Sequence, residues 1–347
     1  MITRSASRGF TLVELMVAAA LGLFIVAVLG SMFVGAKLTF NSQNAVAHLQ
    51  ENGRFALDRI AADLRMAGFR GCMGQHRSTP IVNTLPNPKS ALHDFATSIG
   101  GAHYASGWAP ALDAAVSSLS PTPNTVGDVL TVRRTTGTGW ALTAEMAGST
   151  APLALSAPGG SPPEFPFAAG DLLLVSDCAG AAVFQASGVT PWNASGSGGA
   201  VAHPSADLGR AFLQDALVYR LQATTYYLAP SQRPGKAGVM SLWSATTPSY
   251  DGTVQPLELV TGVDRFSVTV GVDTDGDQSA NQYVAPASVS DWTTAVSLKV
   301  ELVLASAQDN VTTSPQPYVF EGATITPTDR KLRTVMTMVA SLRNSVL

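Results

Sequence analysis

Between Phe10 and Ala36 the chain reads FTLVELMVAAALGLFIVAVLGSMFVGA, with Glu14 its only ionisable side chain and no proline. At about 1.5 Å of rise per residue this stretch makes a helix of roughly 40 Å, longer than the roughly 30 Å hydrocarbon core of a bilayer. Arg4 and Arg8 precede it, so the positive-inside bias keeps that end in the cytoplasm and sends the C-terminal bulk across the membrane. A removable secretory signal has an apolar core of about 7 to 15 residues followed by a small-residue cleavage site. This stretch is too long for that, and it carries a carboxylate near its start. Insertion scales set an acidic residue at mid-span at about 2.5 to 3.5 kcal/mol, and less near an end. Glu14 therefore calls for a partner.

The residues Gly9-Phe10-Thr11-Leu12-Val13-Glu14-Leu15 resemble the class III signal of type IV prepilins and type II secretion pseudopilins. That resemblance implies a leader of residues 1–9, cut on the cytoplasmic side after Gly9 by the prepilin peptidase, and N-methylation of the new N-terminal Phe10. It also implies that residues 10–36 stay attached, first as a transmembrane anchor and then as filament core. The family role carried onto Glu14 makes physical sense. In a bundle of helices its carboxylate pairs with the N-terminal ammonium of a neighbouring subunit's Phe10, and a subunit out of register leaves two charges unpaired in an apolar medium. Many major pilins have a proline midway along this helix; this chain has none there, so no proline kink is expected.

Beyond Lys37 the pattern turns amphipathic. Val46, Leu49, Gly53, Leu57, Ile60 and Leu64 recur at steps of three or four, the period of a helix buried on one side. Asp58, Arg59, Asp63 and Arg65 fall mostly off that stripe, and Gly68 is the expected stop. Residues 37–68 thus read as a continuation of the helix that packs on a sheet. The stretch QENGRFALDRIAADLRMAGFRGC, Gln50 to Cys72, is similar to the PilW group of minor pilins, in which a long helix runs into a Gly-Phe-x-Gly-Cys turn. GDLLLVSDC ending at Cys178, AVFQ after it, ELVTGV at 258–263, VDTDGD at 272–277 and SLRN at 341–344 agree with the same group.

Residues 69–347 carry short apolar runs split by Gly, Pro, Ser and Asn, in a chain with 31 glycines, 21 prolines and only 13% charged residues. The strands expected are Asp128–Arg134, Asp171–Ser176, Ala182–Gln185, Leu217–Leu228, Val239–Trp243, Phe266–Val270, Ala295–Leu304 and Leu332–Leu342. The last run carries both helical and strand periods, and strand is chosen. Residues 157–165 and 193–200 read as surface loops. The fold class expected is α+β: a long N-terminal helix, transmembrane then amphipathic, packed on a mainly antiparallel β-rich domain.

Cys72 and Cys178 are the chain's two cysteines. In an extracytoplasmic domain they fit one disulfide, closing a loop of roughly a hundred residues and contributing about 4 to 5 kcal/mol in the chain-entropy model; the alternative is a pair of buried thiols. Asp273, Asp275 and Asp277 form D-x-D-x-D, the spacing of the first three ligands of a Ca²⁺ loop. Gln278 stands at position six and Val284 at position twelve where an EF-hand has Gly and Glu, while Asn281 at position nine offers an oxygen. The other reading is a polar hairpin turn, since Asp-Gly is a strong turn signal. His48, His76, His93, His103 and His203 show no metal-ligand spacing, and no nucleophile elbow or P-loop is present. No enzyme and no required cofactor are expected. A formal net charge of −3 gives no basic excess for nucleic acid.

The resemblance implies a minor pilin, held in the inner membrane by a single span with its globular domain in the periplasm, and later carried at the pilus tip. Its expected partners are other minor pilins, the major pilin, the prepilin peptidase, the inner-membrane assembly platform and a tip adhesin. Two other readings stand beside it: pseudopilin J of a type II secretion system, which the Gly-Phe-x-Gly-Cys turn and paired cysteines disfavour, and an adhesive binding module that uses the pilin leader for delivery.

Overall fold

The computed structural model describes residues 11–71, 81–157, 163–204, 207–247 and 254–345. One α-helix, α1, runs unbroken from Leu12 to Met66, about 80 Å at the usual rise. No proline falls inside it, so no backbone hydrogen bond is lost and no ring clash bends it. Ala67 leaves the helical conformation, and Gly68 follows at φ +72°, a left-handed backbone that glycine takes without a Cβ clash.

The two halves of α1 live in different surroundings. Up to Phe40 every described residue is exposed. From Leu49 onward one face is buried, formed by Leu49, Gly53, Ala56, Leu57, Ile60, Ala61, Asp63 and Leu64. Two expectations about that stripe need correction. Val46 is exposed at 39%, because the domain's cover begins a turn later; Asp63, expected off the stripe, sits in it at 2% exposure. Gly53 marks the closest approach: a Cβ there would collide with Met336 Sδ and lie 3.0 Å from Leu304 Cδ1.

Among the described residues the globular part holds two main sheets. The larger has nine strands, with the antiparallel pair Val129–Ala141 and Leu217–Pro230 as its spine. Outside Val129–Ala141 lie Ile99–Tyr104 and then Trp108–Ala109. Leu217–Pro230 is long enough to serve two neighbours on its other edge. Its beginning pairs with Leu172–Ser176, which leads to Ala181–Gln185 and to the parallel strand Ile81–Asn83; its second half pairs with Met240–Thr246, which leads to Gln255–Thr261.

The second sheet has four antiparallel strands in the order Gln282–Val284, Val263–Val272, Ala295–Ala305, Arg333–Ser341. Gly262 links the two sheets between Thr261 and Val263. Its φ is +79°, and a Cβ would lie 2.8 Å from the Ala305 carbonyl oxygen, so the corner requires glycine. A three-stranded sheet (Leu153–Leu155, Gly199–Ala202, Gly188–Thr190) and the hairpin Tyr318–Phe320/Ala323–Ile325 complete the described strands.

All eight expected strands form, several with longer ends. In Arg333–Ser341 the strand period wins: Met336, Met338 and Ala340 pack on the core while Thr337, Val339 and Ser341 face out. The core joins Leu57, Ile60 and Leu64 of α1 to Leu130, Tyr226, Phe266, Val268, Leu298, Val300 and Leu302 from both sheets. Asn344 Nδ2 donates to the Ala67 carbonyl at 3.0 Å, so the SLRN segment closes the end of the helix from the far end of the chain. The architecture is α+β, with the helix seated on the four-stranded sheet.

Candidate assembly interface

The exposed half of α1 is where the chain is least complete by itself. Its most apolar 18-residue window has a mean hydropathy of 2.7 and no buried share. Leu12, Leu23, Phe24 and Phe33 each expose more than two thirds of their surface, all round the cylinder rather than along one stripe. Such a surface suits lipid or a ring of other helices and not water.

At its head Glu14 and Thr11 form a capping box. Thr11 N–H and Thr11 Oγ1 both donate to Glu14 Oε2, at 3.2 and 3.1 Å, and Glu14 N–H donates back to Thr11 Oγ1 at 3.2 Å. These bonds satisfy free N–H groups of the first turn, and the carboxylate faces the positive end of the helix dipole. Gly9 and Phe10, the expected cleavage and methylation positions, lie outside the described residues.

The turn after α1 ties the helix to the larger sheet. Phe69 packs edge-on against Tyr219 with ring centroids 5.8 Å apart. Arg70 Nη2 donates to the carbonyls of Phe95 and Ala96 at 3.1 and 2.8 Å, and Ser176 Oγ donates to the Arg70 carbonyl at 2.5 Å. Gly71 sits at φ +75° where a Cβ would come within 3.0 Å of Ser176 Oγ. Cys178 is disulfide-bonded, and Cys72 lies outside the described residues.

Under the second half of α1, Asp63 makes a buried polar junction. Tyr226 Oη donates to Asp63 Oδ2 at 2.7 Å, and Arg134 Nε lies 3.0 Å from Asp63 Oδ1. Burial, then the Asp63 charge, push the Tyr226 phenol far above its ordinary range. Helix and spine strands are thereby locked in one register.

Two clusters outside this interface bring ionisable groups together. Asp273, Asp275 and Asp277 occupy the loop between the paired strands Val263–Val272 and Gln282–Val284, so the polar hairpin reading describes the backbone. Ligand oxygens of the three lie within 4.8 Å of one another. The Asp273 carboxylate accepts from the N–H groups of Gly276, Gln278 and Asp275 at 2.6, 3.1 and 3.2 Å, and these bonds, Gly276 first, hold it below the usual carboxylate range. Asn281 is turned inward, donating to Asp275 Oδ2 at 3.1 Å. The second cluster is His103, Asp128 and Glu321. Sequence reasoning left His103 as an isolated histidine, because its neighbours are distant in the chain and only the sheet pairing brings them together.

A comparison with family models matches the prokaryotic N-terminal methylation motif to residues 4–30 and the type IV pilus-assembly protein W family, PilW, to residues 225–344. No curated protein matched. Among solved structures the chain is similar to the type IV-like pilin TTHA1219 from Thermus thermophilus, at 9% identity and a TM-score of 0.32, over 87% of this chain and 97% of that one. The methylation motif falls on the exposed head of α1, and the PilW match takes in the whole four-stranded sheet on which the rest of α1 lies. One continuous helix thus carries the methylation motif and packs on the sheet that the PilW model matches, and over those parts, residues 4–30 and 225–344, the chain is similar to PilW-type proteins of the type IV pilus.

Proposed function

We propose that the chain is a PilW-type minor pilin that helps to initiate pilus assembly and sits with other minor pilins in the tip complex. In this reading it waits in the inner membrane with its domain in the periplasm, after prepilin peptidase has cut behind Gly9 and Phe10 has been methylated. The observation that carries the reading is the contrast along α1: an apolar half without intramolecular cover continues without a hinge into a half fixed by the domain core. A subunit leaving the bilayer must exchange lipid for other cover, and the helices of neighbouring pilins supply it with matching shape. Glu14 then meets a neighbour's N-terminal ammonium, so correct axial register is the arrangement without an unpaired charge.

The test is chromosomal deletion and, separately, Glu14→Ala, scored by sheared pili, electron microscopy and twitching. Both are expected to lower surface piliation at least tenfold while Glu14→Ala protein remains in the membrane fraction. Normal piliation with lost adhesion would favour the delivered binding module, and lost protein secretion with intact pili would favour pseudopilin J.

Two smaller readings belong to the same domain. Cys72 is proposed as the partner of Cys178, supported by a chain with two cysteines and by Gly71 lying against Ser176; a mobility shift on reduction, lost in Cys72→Ser, tests it. Ca²⁺ is proposed for the Asp273–Asp277 loop, supported by its converging carboxylates. Calorimetry with Ca²⁺ and with EGTA tests that, and no heat at millimolar Ca²⁺ retires it.

A further inference from the structure

We propose that His103, Asp128 and Glu321 form a binding site for one Zn²⁺-like divalent transition metal, at the seam where the two main sheets and the Tyr318–Ile325 hairpin meet. One ligand atom from each of the three residues lies within 4.8 Å of the other two. Ligands at about 2.0 to 2.2 Å from a shared ion stand somewhat closer than this, so small side-chain movements close the set.

Each member arrives on a different element. His103 lies in Ile99–Tyr104 of the nine-stranded sheet. Asp128 sits just before Val129–Ala141 and reaches the other sheet, its N–H donating to the Phe266 carbonyl at 2.8 Å and its Oδ2 accepting from Val268 N–H at 2.7 Å. Glu321 is the first residue of the two-residue loop between Phe320 and Ala323. One oxygen of each carboxylate is already held by a donor, Asp128 Oδ2 by Val268 and Glu321 Oε1 by Ser267 Oγ at 2.5 Å. Outer bonds of that kind orient metal-ligating carboxylates.

Glu321 and Gly322 have φ of +52° and +76°, the pair of left-handed residues that a tight hairpin takes most readily as Asn-Gly. Glutamate is poorly suited to that backbone, yet it places a second carboxylate beside Asp128. Asp128 is 3% exposed. Two carboxylates converging on one imidazole, the Asp128 carboxylate buried and the Glu321 carboxylate on the solvent side, is an arrangement a dication neutralises.

Ligand chemistry separates this cluster from the Asp273–Asp277 loop. An imidazole nitrogen with two carboxylates suits Zn²⁺, whereas an all-oxygen loop suits Ca²⁺. His103 Nδ1 stands 2.7 Å from Asp128 Oδ1. Metal entry replaces this contact, the imidazole nitrogen and the Asp128 oxygen each turning from one another to the ion. A bound ion cross-links the outer hairpin to the seam of the two sheets.

The experiment uses the full chain, free of affinity tag, purified in detergent, stripped with EDTA and titrated calorimetrically with ZnCl₂ at pH 7.5. One equivalent is expected, with affinity falling at least tenfold in His103→Ala and in Glu321→Gln, and unchanged in Asp273→Asn. Glu321→Gln lies in an exposed loop, and far-UV circular dichroism checks that each variant keeps its fold. Wild-type protein that binds no Zn²⁺ at 1 mM, or binding undiminished in both His103→Ala and Glu321→Gln, overturns the proposal.

Discussion

Asp63 shows how one residue can change meaning between sequence and structure. Read along the helix it is one of four charged residues between positions 58 and 65, and such residues normally cover a solvated face. In the fold it is enclosed, because Arg134 and Tyr226, from the two spine strands, converge on its carboxylate. No spacing within α1 carries that information; the partners lie 71 and 163 positions away. Removing one member of a buried ionic set leaves the others desolvated and unpaired, which costs about 3 to 5 kcal/mol. Asp63→Ala is therefore expected to lower unfolding stability by about that amount in a urea titration. Tyr226→Phe should lose about 1 kcal/mol, since Asp63 keeps Arg134. The double variant should lose less than the two single losses combined, because Tyr226 has no Asp63 to lose once the alanine is present. Strict additivity would mean that the phenol and carboxylate do not interact.

Among the elements, those with one dominant period were legible in the sequence. The amphipathic half of α1 announces itself by one regular repeat, and seven of the eight expected strands by apolar runs set between turn residues. Strands such as Ile99–Tyr104, with two glycines, and Gly188–Thr190 carry no such repeat and are strands only because neighbours supply hydrogen bonds. The strand Arg333–Ser341 was ambiguous and depends on its anchoring. Arg333 at its start donates to both oxygens of Asp329 and, at 2.9 Å, to Asp264. The Arg333 hydrogen bonds hold the Asp329 carboxyl down to about 2 from its ordinary 3.8. A depressed carboxylate stabilises the fold above its unfolded value and loses that contribution as pH falls through the folded one. Stability is therefore expected to decline between about pH 4 and pH 2, and Arg333→Gln should flatten part of that slope while lowering the plateau above it. Solvent reaches Asp329, so the effect is modest. An unchanged slope in Arg333→Gln would show that other carboxylates carry the acid sensitivity.

At the scale of the whole molecule the chain is two objects sharing one helix. Burial begins only around Leu49, and no described residue between Leu12 and Phe40 is covered by the domain. The exposed apolar half of α1 was legible as a long uninterrupted helix, since its composition and lack of proline decide that. The seam cluster at His103 was not, because it depends on the meeting of two sheets whose order no local pattern states. A physical consequence separates the halves. Deleting residues 1–40 removes apolar surface that nothing in the domain covers, and leaves Leu49, Gly53, Leu57, Ile60 and Leu64 in the core. The truncated protein is expected to be soluble without detergent, with a melting temperature within about 5 °C of the full chain in detergent, because no core contact is lost. Extending the deletion to residue 60 strips four of those five from the sheet. At about 2 to 5 kcal/mol for each large buried side chain removed, it should abolish cooperative melting of a domain whose total stability is on the order of 5 to 15 kcal/mol. Equal melting of the two truncations would mean that the sheets stand without the helix, and α1 would then be a passenger on the domain rather than part of its core.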